Sequence, residues 1–171
     1  MKEPDNLYDL AIQAKKGNEE SFVALCDAVK VNLYRTAIGI LRDETLALDA
    51  VSEAIFRGYK GIRKLREPKY VLTWFTRIII NVSITMYEKR KREYLSNVVQ
   101  FDIAKADDYD DMNFNDLIDN LPIELQEIIS LKYYSDLTLA DIAVILNLPE
   151  GTVKSRLNRA LKQLRLEVEN E

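Results

Sequence analysis

Residues 138–165 carry two short amphipathic segments separated by a tight turn, a pattern that predicts a helix-turn-helix. Thr138 is a good N-cap residue for the first segment, and Asp141 stands three residues later, where a capping box needs it. Asn147 falls in the turn, and asparagine tolerates the left-handed conformation better than most residues. Pro149 suits the first turn of the second helix, because its missing N–H costs nothing there.

The second helix separates an apolar stripe from a polar, basic face at about 100° per residue. The apolar stripe consists of Val153, Leu157, Ala160, Leu161 and Leu164. The opposite face carries Thr152, Ser155, Asn158, Arg159 and Lys162, flanked by Lys154 and Arg156. Such a face is typical of a recognition helix that enters the DNA major groove. An ordinary helical hairpin with a solvated charged face is the alternative, since matches to this motif also arise by accident.

The amino-acid composition limits the fold class and the cellular location that we expect. Hydrophobic residues make up 47% of the 171 residues, with only five Gly and four Pro, so we expect packed and almost wholly helical domains. No apolar run approaches the ~20 residues of a membrane span, and the N-terminus lacks the layout of a signal peptide. We therefore expect a cytoplasmic protein.

Residue types that support catalysis are scarce. The chain has no His, and its single Cys26 excludes an internal disulfide or a cysteine-built zinc site. Cys26 falls on an amphipathic segment and is interpreted as a small buried hydrophobe. No glycine-rich phosphate loop is present. We expect no enzymatic activity, no metal, no cofactor and no small-molecule substrate.

The charge distribution divides the chain into three parts. Residues 1–92 carry 17 basic and 12 acidic side chains, residues 93–121 carry one and eight, and residues 122–171 carry six and eight. Residues 93–116 are acidic and lack a sustained period, which predicts a flexible acidic linker or solvated tether. The expected fold is all-α, with two small helical domains at 1–92 and 117–171, the second being the helix-turn-helix. Helices are predicted at 6–16, 18–41, 44–64, 69–92, 113–119 and 122–134. The net charge of −4 predicts weak DNA binding without a partner.

Residues 60–92 form a second basic region, in which ten Lys and Arg side chains are interspersed with aromatic residues. A helix that begins near Lys69 places Thr73, Arg77 and Asn81 on one polar stripe, with Trp74 beside it. Basic charge together with aromatic rings and an amide suits single-stranded or melted DNA, because the rings stack on unpaired bases. A core position remains the alternative for Trp74.

The sequence resembles the extracytoplasmic-function (group 4) sigma factors of the bacterial sigma-70 family along nearly its whole length. The opening helices are similar at 14–22, and the segment that docks on polymerase is similar at 33–42 and 47–59. The promoter-melting helix matches in the run Thr73-Trp-Phe-Thr-Arg-Ile-Ile-Ile-Asn81, and the −35-reading domain matches at 121–160, with Gly151-Thr-Val-Lys-Ser-Arg-Leu157. Ser52 and Ile55 depart from the usual Gln and aromatic residue of the docking segment.

The resemblance implies a specificity subunit whose catalysis is supplied by core RNA polymerase. Asp49, Val51 and Glu53 would contact polymerase. The −10 element would be bound by Arg63, Lys64, Arg66, Tyr70, Thr73, Trp74, Arg77, Asn81, Lys89 and Arg90, with Asn81 and the loop 65–70 holding a flipped base. In the −35 contact Ser155, Asn158 and Arg159 would read bases, and Thr152, Lys154, Arg156 and Lys162 would bind phosphates.

The resemblance also implies three partners: core RNA polymerase, promoter DNA and a cognate, membrane-anchored anti-sigma factor. The acidic linker would pass through the positively charged polymerase channel. The alternative is a free-standing helix-turn-helix regulator with an N-terminal sensing or dimerisation domain. Such a regulator has no evident need for the second basic and aromatic surface at 60–92.

Overall fold

The computed structural model describes residues 5–98, 117–118, 120–135 and 137–169, and every regular element in these ranges is helical. The expectation of an all-α fold is confirmed. The α-helices in these ranges are α1 (Asp5–Lys15), α2 (Glu19–Leu41), α3 (Glu44–Gly61), α4 (Val71–Val98), α5 (Ile123–Tyr133), α6 (Leu139–Leu146) and α7 (Glu150–Glu169). Two single-turn 3-10 helices, Ile62–Lys64 and Pro68–Tyr70, connect α3 to α4.

The first helix boundaries follow from side-chain caps. The Asn18 Oδ1 accepts a hydrogen bond from the Ser21 backbone N–H at 2.8 Å, which starts α2. Arg42 ends α2 in the left-handed conformation, with φ at 50°. Asp43 then caps α3, because its Oδ1 accepts a hydrogen bond from the Leu46 N–H at 3.0 Å. The bounds of α1 to α3 differ from the predicted ones by at most three residues.

Helix α4 continues past its predicted end at residue 92 and stops at Val98. The predicted boundary rested on a change of charge, and residues 93–98 contain neither Gly nor Pro to interrupt a helix. The Lys89 Nζ lies 3.7 Å from the Glu93 Oε1, an i to i+4 pair that supports the continuation. The rest of the predicted linker, residues 99–116, lies outside the described residues.

Helices α1 to α4 enclose the first hydrophobic core. Leu25, Leu33, Phe75 and Ile79 are fully buried there. Cys26 packs against this core, and burial, followed by the neighbouring Asp27, raises its pKa to about 11. Cys26 is half-buried, so it packs against the core as predicted without being enclosed by it, and its raised pKa keeps the thiol protonated at neutral pH.

A second core joins residues 117–118 to helices α5, α6 and α7. Its fully buried residues include Ile118, Ile128, Ile142 and Val153. Ile40 from α2 and Ile80 from α4 are also buried in this cluster. The N-terminal half of the chain (α1 to α4) and the C-terminal half (residues 117–118 and α5 to α7) therefore pack directly against each other. Across the described ranges, no helix has the length and apolar character needed to cross a membrane. Nor do any three His, Cys, Asp or Glu side chains of those ranges converge as metal ligands would.

Candidate nucleic-acid interfaces

Helix α6, the first helix of the helix-turn-helix, begins with a complete capping box. The Thr138 Oγ1 accepts a hydrogen bond from the Asp141 backbone N–H at 3.1 Å. The Asp141 carboxylate accepts one from the Thr138 backbone N–H at 3.2 Å. Burial raises the pKa of Asp141, but the hydrogen bonds from Thr138 outweigh it and hold the pKa below its usual value. The predicted cap is confirmed.

The turn between α6 and α7 has the predicted left-handed residue. Asn147 has φ 54° and ψ 46°, and the Leu148 N–H closes the turn on the Ala143 carbonyl oxygen at 3.0 Å. Helix α7 begins at Glu150, so Pro149 lies immediately before the first turn, not within it. Its carbonyl oxygen accepts a hydrogen bond from the Val153 N–H at 3.2 Å, which is the role of an N-cap carbonyl.

Helix α7 separates its two faces as predicted, with one exception. The apolar stripe is buried at Val153, Leu157, Ala160 and Leu164, whereas Leu161 remains 40% exposed at the margin of the stripe. The outward face consists of exposed polar and basic residues, namely Lys154, Ser155, Asn158, Arg159 and Lys162. A helix with a hydrogen-bonding, basic outer face and a buried inner face has the form required to enter a major groove.

Thr152 and Arg156 do not belong to this exposed face. Both are half-buried, and Arg156 borders a cleft of about 540 Å³ between the two halves of the chain. Glu127 of α5 borders the same cleft. Its burial raises its pKa to about 7, the Arg156 charge opposes this rise, and Glu124 adds to it. The Arg156 charge therefore partly offsets the raised pKa of a half-buried carboxyl group, a role that the sequence did not predict.

The second predicted surface forms a groove of about 290 Å³ between the α3–α4 connection and the first turns of α4. Its lining comprises Lys64, Leu65, Arg66, Glu67, Tyr70, Thr73, Trp74 and Arg77. Trp74 is half-buried and packs edge-to-face on Phe75 with ring centroids 5.0 Å apart, so it is at once a core residue and a groove wall. An exposed Tyr70 and two flanking cations stand at the mouth, an arrangement that suits an unpaired base and its phosphates.

The local sequence explains why the groove forms at this point. Pro68 opens the second 3-10 helix, where its fixed φ is preorganised for a helical turn. Gly61 ends α3 beneath Trp74, and an ideal Cβ there would lie 3.0 Å from Trp74 Cζ2. The absence of a side chain at Gly61 therefore lets the indole ring lie close to the end of α3.

The remaining residues predicted for the −10 contact are dispersed. Arg63 is exposed but borders a different cleft, beside Gly17 at the α1–α2 turn. Lys89 pairs with Glu93, and the Arg90 Nη1 lies 3.2 Å from the Asp43 Oδ2. Both pairs are solvent-exposed, so they contribute little stability and leave the cations able to exchange partners.

Arg77 and Asn81 project from α4 into the cleft between the halves. The Arg77 Nε donates a hydrogen bond to the Ile145 carbonyl oxygen at 3.0 Å, and its Nη2 donates to the Val144 carbonyl oxygen. Asn81 is exposed and lines the same cleft. The predicted stripe of Thr73, Arg77 and Asn81 is present, but Arg77 and Asn81 face the C-terminal half of the chain.

The predicted polymerase contacts lie on α3. Asp49 is exposed, the half-buried Glu53 Oε1 accepts a 2.7 Å bond from the Arg57 Nε, and Val51 packs against the first core. The resemblance also implied neighbouring apolar contacts without naming them, and two exposed apolar side chains lie on this helix, Leu48 at 53% and Phe56 at 51% exposure. They recur eight residues apart on the face opposite the buried small residues Ala47, Ala50, Ala54 and Gly58. That periodicity could have revealed them.

Comparisons with known proteins agree with this geometry. Residues 25–93 match the family model of sigma-70 region 2, and residues 111–164 match that of sigma-70, region 4. The chain is 32% identical over 151 residues to the RNA polymerase sigma factor SigV of Bacillus subtilis, covering 83% of this chain and 87% of that protein. It is 29% identical over 171 residues to the ECF RNA polymerase sigma factor SigW of the same organism, covering 90% and 91%.

Solved structures show the same fold. CnrH, in complex with the cytosolic domain of CnrY, superposes with a TM-score of 0.74 at 22% identity, covering 98% of this chain and 99% of that one. The Bartonella quintana sigma factor RpoE, in complex with the anti-sigma factor NepR, superposes with a TM-score of 0.62 at 21% identity, covering 90% of this chain and 98% of that one.

The all-helical fold and the matches to the models of regions 2 and 4 define a transcription factor of the sigma class. The chain belongs to the sigma-70 family, in its extracytoplasmic-function group, and is an RNA polymerase sigma factor. Sigma factors are non-enzymatic regulators of transcription. The alternative of a free-standing helix-turn-helix regulator is not favoured.

Proposed function

We propose that this sigma factor recognises its promoters through the exposed face of α7 and through the groove at the start of α4. The observation that carries the proposal is the outer face of α7, where Ser155, Asn158 and Arg159 are exposed together above a buried stripe. Asn and Arg can form bidentate hydrogen bonds with adenine and guanine edges, respectively. In this proposal these three residues read the −35 element, with Lys154 and Lys162 on phosphates.

The −10 element is proposed to enter the groove beside Trp74. The exposed Tyr70 and the half-buried Trp74 supply aromatic surface for an unpaired base, while Lys64 and Arg66 supply charge for the backbone. Asn81 lies further along α4 on the same stripe as Thr73, where a base edge can be hydrogen-bonded. Arg63, Lys89 and Arg90 are exposed or engaged only in exposed ion pairs, and they are proposed to hold phosphates at the periphery.

Polymerase is proposed to dock on α3. Asp49 and Glu53 supply charge, and the exposed Leu48 and Phe56 supply apolar area that an isolated protein would leave in water. Val51 supports this face from the core side. In this proposal, −10 binding and polymerase docking fall to a domain at 1–92, −35 binding falls to a domain at 117–171, and residues 93–116 connect them.

The remaining partners follow from the family. The solved complexes pair sigma factors with an anti-sigma factor or with the cytosolic domain of a second protein. We infer a cognate, membrane-anchored anti-sigma factor for this chain as well. The protein is proposed to act in the cytoplasm, where polymerase is found, to contribute no catalysis of its own and to use no cofactor or small-molecule substrate.

The test is run-off transcription with bacterial core polymerase on fragmented genomic DNA, with and without the protein. New discrete transcripts that require the protein support the proposal, and their start sites locate both promoter elements. Arg159→Ala should then weaken binding of the −35 element by about 1–3 kcal/mol in a sequence-dependent manner. Arg165→Ala is the matched control, because Arg165 is an exposed arginine on the same helix outside the proposed reading set.

Two results would overturn the assignment. An equal loss of affinity on every −35 sequence would make Arg159 a phosphate contact. Tight footprinting of promoter duplex by the free protein, without protein-dependent transcripts, would contradict the role of a polymerase subunit.

A further inference from the structure

A cleft of about 540 Å³ lies between the N-terminal and the C-terminal half of the chain. Helix α4 forms one wall, and α5, α6 and α7 form the other. The two halves are held together elsewhere by a hydrogen bond of 2.5 Å, which the buried Ser130 Oγ of α5 donates to the Gly39 carbonyl oxygen of α2. The cleft therefore has fixed walls, and its volume falls within the roughly 300–1,000 Å³ of typical small-molecule sites.

Polar side chains from both walls line this cleft, and most of their hydrogen-bonding capacity is unused. Arg77 donates two of its five N–H groups to carbonyl oxygens at the end of α6, and the other three have no partner in the part of the chain that the structure describes. The side chains of four further residues make no hydrogen bond within that part, namely Asn81, Glu127, Asn147 and Arg156. Convergent polar groups of this kind orient a bound ligand.

The charged side chains give the cleft a cationic character. Arg77 and Arg156 stand on opposite walls, and guanidinium groups are suited to bind the oxygens of a phosphate group. Glu127 supplies a carboxyl group. Burial raises the pKa of Glu127 to about 7, although the Arg156 charge opposes the rise. Near neutral pH the carboxyl group is therefore partly protonated, so it can donate as well as accept a hydrogen bond.

Aliphatic side chains complete both walls. Ile80 of α4 faces the cleft from one side, and Ile145, Leu146 and Leu148 face it from the other. Ile80 and Ile145 are only 2% and 5% exposed, so these walls are anchored in the second core. An inorganic anion would leave the aliphatic surface in water, and a fatty acid would leave the amide and carboxyl groups without partners. A planar ring with hydrogen-bonding edges and an attached phosphate uses every part of the lining.

We propose that this cleft binds a nucleoside phosphate, with the phosphate group held by Arg77 and Arg156 and the base against the aliphatic walls. The amide groups of Asn81 and Asn147 and the Glu127 carboxyl group bind the edge of the base and select among the bases. Because the ligand contacts both halves of the chain, it stabilises the folded protein in proportion to its concentration above the dissociation constant.

Isothermal titration calorimetry on the full-length protein tests this site. The probes are AMP, GMP, CMP and UMP, with ribose 5-phosphate and inorganic phosphate as ligands that lack a base. Urea unfolding with and without each probe gives a second, independent readout of binding. A nucleotide within a DNA strand offers the same chemistry, so the non-template strand of the −10 region, taken from a start site mapped by run-off transcription, is titrated as well.

At least one nucleotide should bind about tenfold or more tightly than ribose 5-phosphate, because only the base reaches the amide groups and the aliphatic walls. The same nucleotide should raise the urea midpoint of unfolding. Equal affinity for all four nucleotides and for inorganic phosphate would reduce the cleft to a non-specific anion site and overturn the proposal. Absence of binding at about 1 mM nucleotide would overturn it as well.

Two variants locate the bound nucleotide. Arg156→Ala should lower its affinity by about tenfold or more, because a charged hydrogen-bonding partner of the phosphate is lost. Leu148→Trp should abolish binding by filling the cleft, while both arginines stay in place. Arg165→Ala is the matched control and should bind normally, since Arg165 is exposed on α7 and does not line the cleft. Helical circular dichroism shows that each variant is folded.

Undiminished nucleotide binding in folded Arg156→Ala and Leu148→Trp would place the ligand elsewhere and overturn the proposal. If Arg156→Ala weakened the DNA strand as much as the free nucleotide, the cleft would belong to the promoter surface instead. Arg77 and Asn81 are also part of the proposed −10 surface, so both are left unchanged in these variants. Loss of nucleotide binding and loss of promoter binding therefore remain distinguishable.

Discussion

Replacing Gly58 with alanine tests how tightly the first core is closed. An ideal Cβ at Gly58 would lie 2.4 Å from Cε1 and 2.7 Å from Cζ of Phe75. Carbon atoms do not approach so closely, so either the ring or α3 must move. Phe75 is fully buried against the rings of Trp74 and Phe22, which leaves the ring little room to retreat.

The size of the effect follows from two opposing contributions. Alanine in a helix interior is more favourable than glycine by about 1 kcal/mol. Overpacking a close-packed core costs about 1–3 kcal/mol, and a contact this short on a confined ring places Gly58→Ala at the upper end. We expect a net loss of about 1–2 kcal/mol in the free energy of unfolding. Gly151→Ala is the control, because nothing lies within 4 Å of its added Cβ. It should be stabilising by about 0.5 kcal/mol.

The assay is urea unfolding followed by two signals. Fluorescence of Trp74, the single tryptophan, reports on the first core, and helical circular dichroism reports on the whole chain. If Gly58→Ala proved as stable as the natural protein, the Phe75 ring would have to move freely, and the packing argument would be refuted. A loss in Gly151→Ala equal to that in Gly58→Ala would refute the use of helix propensity.

Three further predictions concern charge, capping and DNA melting. Because the pKa of Glu127 is raised from 4.5 to about 7, the stability contributed by its neutral form is lost as pH rises through this window. As pH rises from 4.5 to 8, the free energy of unfolding of Glu127→Gln should therefore increase by about 1–3 kcal/mol relative to that of the natural protein, as measured by urea unfolding. A difference between the two proteins that does not change with pH would contradict the burial argument. Thr138→Ala should cost about 1 kcal/mol in the same assay, and no loss would argue against the capping box. Asn81→Ala should reduce permanganate reactivity of the −10 region while polymerase binding persists, and unchanged melting would remove Asn81 from the site.

Features fixed by neighbouring residues were predictable from the sequence. The Thr138 cap and the left-handed Asn147 depend on contacts within four residues, and both were confirmed. The two faces of α7 follow from helical periodicity alone. The prediction of a buried position was wrong for Leu161, which lies at the edge of the apolar stripe. Burial at such an edge depends on which neighbouring elements pack there.

Features fixed by distant residues were not predictable. The partners of Arg77 lie 67 and 68 residues away, and the Ser130–Gly39 bond joins residues 91 apart. No periodicity in either segment encodes such a pairing. The half-buried position of Arg156 was hidden for the same reason, since the helical wheel of α7 does not show that α5 brings Glu127 beside it.

The contacts that Arg77 makes within the protein and those that it is proposed to make with DNA respond unequally to ionic strength. Its bonds to the carbonyl oxygens of Val144 and Ile145 involve no counterions, so salt should weaken them little. Binding of a DNA strand releases counterions and weakens steeply as salt rises. Concentrated electrolyte should therefore weaken promoter engagement while leaving the contact between the two halves of the chain in place. The intracellular ion concentration would then tune how readily this protein initiates transcription, without any change in its amount.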